Sequence, residues 1–430
     1  MNLKNKLTPL ERSWILYDIA NSAFILLVST LMPIYFNALA AADGVNEDLY
    51  LSYWGYAGSI STILVAIIGP ICGTLADRKG FKKPLFLICM ALGVFGCAAL
   101  GIAGSWLVFL AIFIVAKVGF SSSLVFYDSM LPEITTEEKI DKVSAQGYAY
   151  GYIGSVLPFV VCLVLVLFGD KFGLTQTAAM TAAFLITAGW WLVLSLPLAK
   201  RYRQTAFTPV QRGAVSDTFR RLGRTLRDAR KEKHVFLYLL SFFFFIDGVY
   251  TIIEMATAYG AALGLETTGL LLALLLTQIV AFPFSIIFGR LASKYDTGLL
   301  IKICIICYTF ITCFGIFLVS QWQFWVLATL VGMFQGGIQA LSRSYLGKII
   351  PAERSGEFYG LMDICGKGAS FVGLTLVSLV SQLTAGFSVE IFGMKLQNEN
   401  IAVGSLLILF FIGYLLFCKA DSLNKQRIAK

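Results

Sequence analysis

Long apolar runs separated by short polar breaks fill the chain. They fall at 14–40, 50–76, 84–104, 106–131, 145–168, 177–198, 235–262, 266–290, 298–319, 322–346, 357–384 and 400–418. An α-helix needs roughly 20 mostly apolar residues to cross the hydrocarbon of a bilayer. The pattern therefore predicts an all-α membrane protein of twelve transmembrane helices. The predicted organisation is an N-terminal six-helix bundle over 1–198, a linker over 199–234 and a C-terminal six-helix bundle over 235–430. The first run is preceded by Lys4, Lys6 and Arg12 and contains Ala38-Leu39-Ala40, which resembles a cleavage site. At about 27 residues it exceeds the 7–15 of a signal peptide's apolar segment, so it reads as the first span.

Charge gives this pattern a direction. With both termini in the cytoplasm, all 34 Lys and Arg lie on or next to cytoplasmic segments except Lys117, Lys171, Lys367 and Lys395. The outer loop 41–49 holds Asp43, Glu47 and Asp48 and no basic residue. Short loops rich in Lys and Arg stay inside, and tryptophans collect at the interfaces, as Trp54, Trp106, Trp322 and Trp325 do on the outer side. The linker carries eleven basic residues against three acids, which suits a solvated or headgroup-facing segment, and His234, the one histidine, falls at its end as an incidental residue.

Composition agrees. Hydrophobic residues make up 58% of the chain and charged residues 14%, against about 25% charged in soluble domains. The net charge of +9 is spread over short loops with no basic, aromatic-interleaved surface, so nucleic acid is not a partner. The nine cysteines lie inside apolar runs, Cys304 and Cys307 included, and read as packing residues rather than a disulfide or redox framework.

Polar residues inside the spans are concentrated on few helices. Asp18, Asn21, Ser22 and Ser29 share a face of the first span. Lys117, Ser121 and Asp128 align in the fourth; Asp247, Tyr250, Thr251 and Glu254 in the seventh; Gln335, Gln339, Ser342 and Arg343 in the tenth; Asp363, Lys367 and Ser370 in the eleventh. At 100° per residue each set forms one stripe. A charge at the bilayer centre costs about 2.5–3.5 kcal/mol on insertion scales, so such groups face a partner, a cavity or water. Asp247 lies about 18 Å into its span, near the midplane, and Lys117 is comparably deep from the other side. Asp18 and Asp128 lie near span ends, where an ion pair or cap is the plainer reading. Asp363 and Lys367, at i and i+4, read as internal bracing. The pairs Gly69/Gly73, Gly147/Gly151 and Gly332/Gly336 have the spacing that lets membrane helices approach closely. Pro33, Pro70, Pro158 and Pro283 interrupt spans and predict kinks.

The halves echo one another at an offset of about 215–230 residues, as repeated halves of secondary transporters do. Gly73-Thr-Leu-Ala-Asp77-Arg78-Lys79-Gly80 follows the second span and Gly289-Arg290-Leu-Ala-Ser-Lys294 the eighth; Asp18 lies in the first span and Asp247 in the seventh.

The stretch from Gly73 to Lys83 resembles the loop signature of the major facilitator superfamily. Trp14-Ile-Leu-Tyr17-Asp18-Ile-Ala20-Asn21-Ser22-Ala23-Phe24, Val143-Ser144-Ala-Gln-Gly147-Tyr-Ala-Tyr150-Gly151-Tyr152, and Gln339-Ala-Leu-Ser342-Arg343-Ser344 with Pro351-Ala-Glu353-Arg354-Ser-Gly-Glu357-Phe358 resemble the vacuole-effluxer-like family within it. Ile19 departs from a frequent aromatic and Asp128 from a frequent Asn. The resemblance implies two six-helix bundles that rock to give alternating access, with spans one, four, seven and ten lining the cavity.

The expectation is a secondary active transporter, not an enzyme. It would move a small solute, an amino acid or similar metabolite, with a proton as coupling ion, sodium as the alternative, and no other cofactor or metal. Asp18, Asn21, Lys117, Asp247, Tyr250, Glu254, Gln335, Gln339, Asp363 and Lys367 are the substrate or proton candidates. Gly73, Asp77, Arg78, Gly80, Asp128, Arg343, Arg354 and Glu357 are the gating candidates. Asp77 is expected at the start of the eleventh span, where a helix N-terminus favours an anion, and Arg78 or Lys79 opposite Asp128. The expected setting is a monomer in the lipid bilayer of a bacterial inner membrane. A sugar symporter, a drug exporter and a transporter-like receptor or scaffold are the alternatives; one histidine and no H-E-x-x-H or G-x-S-x-G argue against a membrane enzyme.

Overall fold

The computed structural model describes residues 6–46, 49–208, 232–384, 387–391 and 394–429. The described part is almost entirely helical. The first unit contains α1 (Pro9–Ser29), α2 (Leu31–Ala42), α3 (Tyr50–Ala76), α4 (Lys82–Ala99), α5 (Trp106–Ser129), the single turn α6 (Leu131–Ile134), most of α7 (Ile140–Phe168) and α8 (Gln176–Arg201). The second contains α9 (Lys233–Ala262), α10 (Thr267–Leu291), α11 (Thr297–Ile316), α12 (Gln321–Ile349), most of α13 (Ser355–Leu383), α14 (Asn398–Gly404) and α15 (Leu406–Ile428). Between α13 and α14 two short strands, β1 (Val389–Ile391) and β2 (Met394–Leu396), pair antiparallel with Val389 opposite Leu396.

Every predicted apolar run coincides with a helix, with the pair α1 and α2, or with the pair α14 and α15. Among the described residues ten helices are long and apolar enough to span a membrane, and eleven if the bent pair counts as one. In α13 the shorter apolar segment is Val372–Leu383. The α1–α2 pair is bent by 41°. Pro33 explains the break: its ring excludes the carbonyl four residues back and offers no N–H, so a new helix starts just before it. The entry to α1 is fixed by a capping box in which Glu11 N donates to Thr8 Oγ1 and Thr8 N to Glu11 Oε2.

The contact-defined units do not divide strictly at the linker. Residues Glu137–Ala149, which include the start of α7, belong to the second unit, and Ala352–Gly360, with the start of α13, to the first. In the first unit, Trp14 stacks on Tyr127 at 4.3 Å, Tyr17 packs on Tyr127 and Phe86, and Phe24 packs on Phe120 and Trp191. In the second, Tyr238, Tyr345 and Phe417 form one cluster, and Phe410 covers Gly248. Outward faces are apolar too: Tyr56, Ile60, Ile63 and Ile67 of α3 are exposed at helical spacing. Such a surface needs a hydrocarbon solvent.

Candidate functional site

The loop after α3 builds a dense polar cluster in the first unit. Asp77 caps α3 and is buried. Its carboxylate accepts the backbone N–H of Gly356 at 2.8 Å and of Glu357 at 2.9 Å. These are orphan donors at the start of α13, where the helix dipole adds attraction for an anion. Close approach depends on glycine: a Cβ on Gly73 would run into the carbonyl of Gly356, and one on Gly356 into that of Gly73. Gly360 approaches the carbonyl of Gly69 less tightly, a Cβ there lying 3.1 Å from it. Burial pushes the Asp77 carboxyl up to about 7, against the pull of Lys82 and of the two N–H donors. Arg354 donates to Glu357 at 3.0 Å and lies over the Phe358 ring.

Two residues absent from the sequence-derived candidates organise this cluster. Lys82 is 0% exposed. Its ammonium meets Glu133 at 2.5 Å, Ser355 Oγ at 2.8 Å and the Ser129 carbonyl at 3.3 Å, with Asp77 at 3.8 Å. Glu133 then turns to the start of the linker, accepting from Tyr202 Oη, Thr205 N and Ala206 N. Gln204 accepts from Gly80 N and donates to the Ala76 carbonyl, while Thr208 N donates to the Asp77 carbonyl. Gly80, at φ 82, takes a left-handed turn that favours glycine. Lys79 lies over Phe207 at the start of the linker, and the backbone of Arg78 pairs with that of Thr208. Asp128 is half-buried at the end of α5.

The second unit holds the start of α7 by different chemistry. Asp141 accepts from Thr297 Oγ1 at 2.8 Å, Ser344 Oγ at 2.6 Å and Lys348 Nζ at 2.5 Å. Arg343 donates through Nε to Ser144 Oγ and through an η nitrogen to the Ser144 carbonyl, both at 2.9 Å, and lies 4.3 Å from the Tyr148 ring centre. His234 differs from its reading as an incidental linker residue. It opens α9 and is buried against the end of α12, because the helix starts before the apolar run does.

The remaining candidates lie within the spans. In the first unit, Asn21 donates to the Tyr17 carbonyl and Ser22 to that of Asp18, so part of the α1 stripe is bound to its own helix. Asp18 is buried beside Gly151. Lys117 is half-buried, its ammonium over the Phe113 ring and beside Gly58 of α3. In the second unit, Asp247 is fully buried and accepts from Gly373 N at 2.9 Å and Thr251 Oγ1 at 3.3 Å. Glu254, two turns further along α9, is exposed. Tyr250 packs near Gly366 of α13. Gln335 is buried, while Gln339 and Asp363 are half-buried. The side chain of Lys367 lies outside the described residues.

The chain resembles YxiO of Bacillus subtilis (strain 168), an uncharacterized MFS-type transporter, at 39% identity over 416 residues, covering 96% of this chain and 94% of that protein. It is 25% identical over 264 residues to autophagy-related protein 22-1 of Aspergillus niger, which takes in 56% of this chain and 42% of the fungal protein. Among solved structures, an outward-facing bacterial homologue of the iron transporter ferroportin superposes with a TM-score of 0.71 at 15% identity, covering 96% of this chain and 98% of that one. FucP, a major facilitator superfamily transporter in the outward conformation, gives 0.69 at 14% identity, with 96% and 97% covered. These likenesses show the major facilitator fold. The family described as vacuole effluxer Atg22 like matches residues 10–427, and this chain, a multi-pass membrane transporter of the major facilitator superfamily, belongs to it.

Proposed function

We propose that the protein is a secondary active transporter that moves a small solute, an amino acid or similar metabolite, by alternating access, driven by a proton gradient. The observation that carries this reading is the polar capture of the first turns of α7 and α13. Asp77 grips α13, and Arg343, Thr297, Ser344 and Lys348 grip α7. Both grips are built from hydrogen bonds and ion pairs that water can replace, as a gate that opens and closes requires. In this reading the gate lies on the cytoplasmic side, which the Lys- and Arg-rich loops support, in a bacterial inner membrane and in a protein that works as a monomer. In the spans, Lys117 supplies a cation suited to a carboxylate and Glu254 an anion suited to an ammonium, while Asp247 is left to the proton. The description of the matching family, vacuole effluxer Atg22 like, supports solute efflux, and an amino acid carries the carboxylate and the ammonium that a lysine and a glutamate bind.

The test is flux through purified protein in proteoliposomes, with an imposed pH gradient and a panel of labelled amino acids, sugars and organic cations. Accumulation of an amino acid that collapses with a protonophore supports the reading. Flux that ignores the proton gradient removes the coupling, and sodium-driven sugar uptake replaces the substrate class as well.

A further inference from the structure

Asp247 stands near the middle of α9 with 0% exposure. Its two oxygens are treated differently. Oδ1 accepts the backbone N–H of Gly373 and the hydroxyl of Thr251. Oδ2 is equally buried and has no hydrogen-bond partner among the described residues. Gly373 lies in the apolar second half of α13, and a Cβ there would run into both Thr251 Oγ1 and Asp247 Oδ1. The carboxyl therefore reaches the backbone of a second helix only because that position is glycine.

A carboxylate with one oxygen stripped of every partner, inside a membrane protein, bears the full desolvation cost of its charge, whereas a neutral carboxyl with its other oxygen satisfied does not. The vacant Oδ2 is thus a place for a small cation. A sodium ion wants several oxygen ligands, and of the two described groups that hydrogen-bond this carboxyl one is an N–H donor and the other, Thr251, brings an oxygen. A proton needs Oδ2 alone.

The surrounding charges leave this assignment in place. Glu254, seven residues along α9, is the acid whose charge is felt at Asp247. On α11 the buried Tyr308 hydroxyl is near Tyr250. Phe410 of α15 covers the neighbouring Gly248. Tyr238 of α9 meets α12 at the carbonyl of Ser342, away from Asp247. On α13, Asp363 and Lys367 precede Gly373 by about 15 and 9 Å along the helix axis.

We propose that Asp247 Oδ2 is the seat of the coupling proton, and that the proton operates a latch between α9 and α13 that closes on Gly373. With the proton in place the carboxyl is neutral and the contact stays dry. When the O–H bond breaks and the proton passes to water, the Gly373 N–H and the Thr251 hydroxyl hold part of the new charge at Oδ1, but Oδ2 is left bare until water reaches it, and admitting that water loosens the packing of the two helices beside Gly373. The latch rests on the transporter reading for its purpose but not for its test.

The experiment follows amide hydrogen exchange at Gly373 in the full chain in lipid nanodiscs, across pH and corrected for the chemical exchange rate. In the wild type, protection should fall by about tenfold or more as pH rises. Asp247→Asn keeps an acceptor for Gly373 and Thr251 and cannot ionise, so its protection should stay flat. Thr251→Val, which removes one partner of the carboxyl, should shift the midpoint of the profile, and it serves if the Asn variant does not fold. The latch is overturned by a flat wild-type profile, by the same profile in Asp247→Asn, or by an unmoved midpoint in Thr251→Val. Gradient-driven flux with a flat profile removes the latch and leaves the transporter; the expected profile in a protein that carries no solute does the reverse.

Discussion

Lys82 and Glu133 meet at 2.5 Å with side-chain exposures of 0% and 1%. They are 51 positions apart and belong to different helices, α4 and the short α6. Through this pair the signature loop, the end of α5, the start of the linker and the start of α13 share one network. A buried ion pair adds little stability over an apolar substitute, but losing one member leaves a bare charge.

That asymmetry gives the first prediction. Glu133→Ala should destabilise the first unit by about 3–5 kcal/mol, and Lys82→Met by a similar amount. The double variant Lys82→Met with Glu133→Leu should recover part of the loss. Recovery stays partial because Glu133 also accepts the N–H groups of Thr205 and Ala206. Thermal unfolding of the detergent-solubilised protein measures this; single variants that cost no more than the double would count against a buried pair.

A second prediction concerns pH. Burial raises Asp77 from its ordinary 3.8 to about 7 when its contact with α13 is made. A raised carboxyl binds its proton more tightly in the folded contact than in the unfolded chain. The contact's contribution is therefore fully present below the unfolded value and is lost as pH rises through about 7. The stability difference between wild type and Asp77→Asn should shrink or change sign from about pH 4 to about pH 8. A difference independent of pH would show that the carboxyl is ionised throughout. Transport by Asp77→Asn should fall several-fold, with insertion into the membrane unchanged.

The fold was largely legible because lipid imposes a simple rule. A surface that faces hydrocarbon must be apolar along each spanning helix, so the runs mark the helices without any knowledge of packing. The break at Thr30 was not legible from the run alone, although Pro33 signalled a kink. Asp77 could be placed at the start of α13 because its loop signature carries that geometry. Glu133 and Asp141 could not be found the same way: each is an ordinary acid beside a span, and only the folded chain brings Lys82 and Lys348 to them. The opening stretch from Trp14 to Phe24 also carries another meaning in the structure. Trp14, Tyr17 and Phe24 are buried aromatic packing, and the Asn21 amide is tied to the Tyr17 carbonyl.

Close backbone contact makes the third prediction. Gly73→Ala would push a methyl group into the carbonyl of Gly356, which as backbone cannot rotate away. The start of α13 would be displaced and Asp77 would lose its two N–H donors. Overpacking of this kind costs about 1–3 kcal/mol. Gly80→Ala is a useful contrast, because it strains a positive φ without touching α13. Exchange of the Gly356 and Glu357 amides should quicken in Gly73→Ala and not in Gly80→Ala. Equal protection in both would mean that the glycine is not what allows the contact.

The last prediction separates charge from shape at Arg343. Its guanidinium makes two hydrogen bonds to Ser144 and stacks on Tyr148, and Ser144 in turn donates to the Ala340 carbonyl of Arg343's own helix. Lysine keeps the positive charge but has neither the planar fork nor the stacking face. If the site needs only a cation near the start of α7, Arg343→Lys should behave as wild type. If the fork is what holds the helix, Arg343→Lys should lose most of what Arg343→Ala loses, on the order of 2 kcal/mol for charged hydrogen bonds given up in a buried place. The two grips act at opposite partners, so combining Arg343→Lys with Asp77→Asn should give nearly additive losses in stability. In transport the combination should be worse than additive, because opening either grip already weakens the same closed state. A double variant no slower than the poorer single one would show that the captures of α7 and α13 do not serve a common gate.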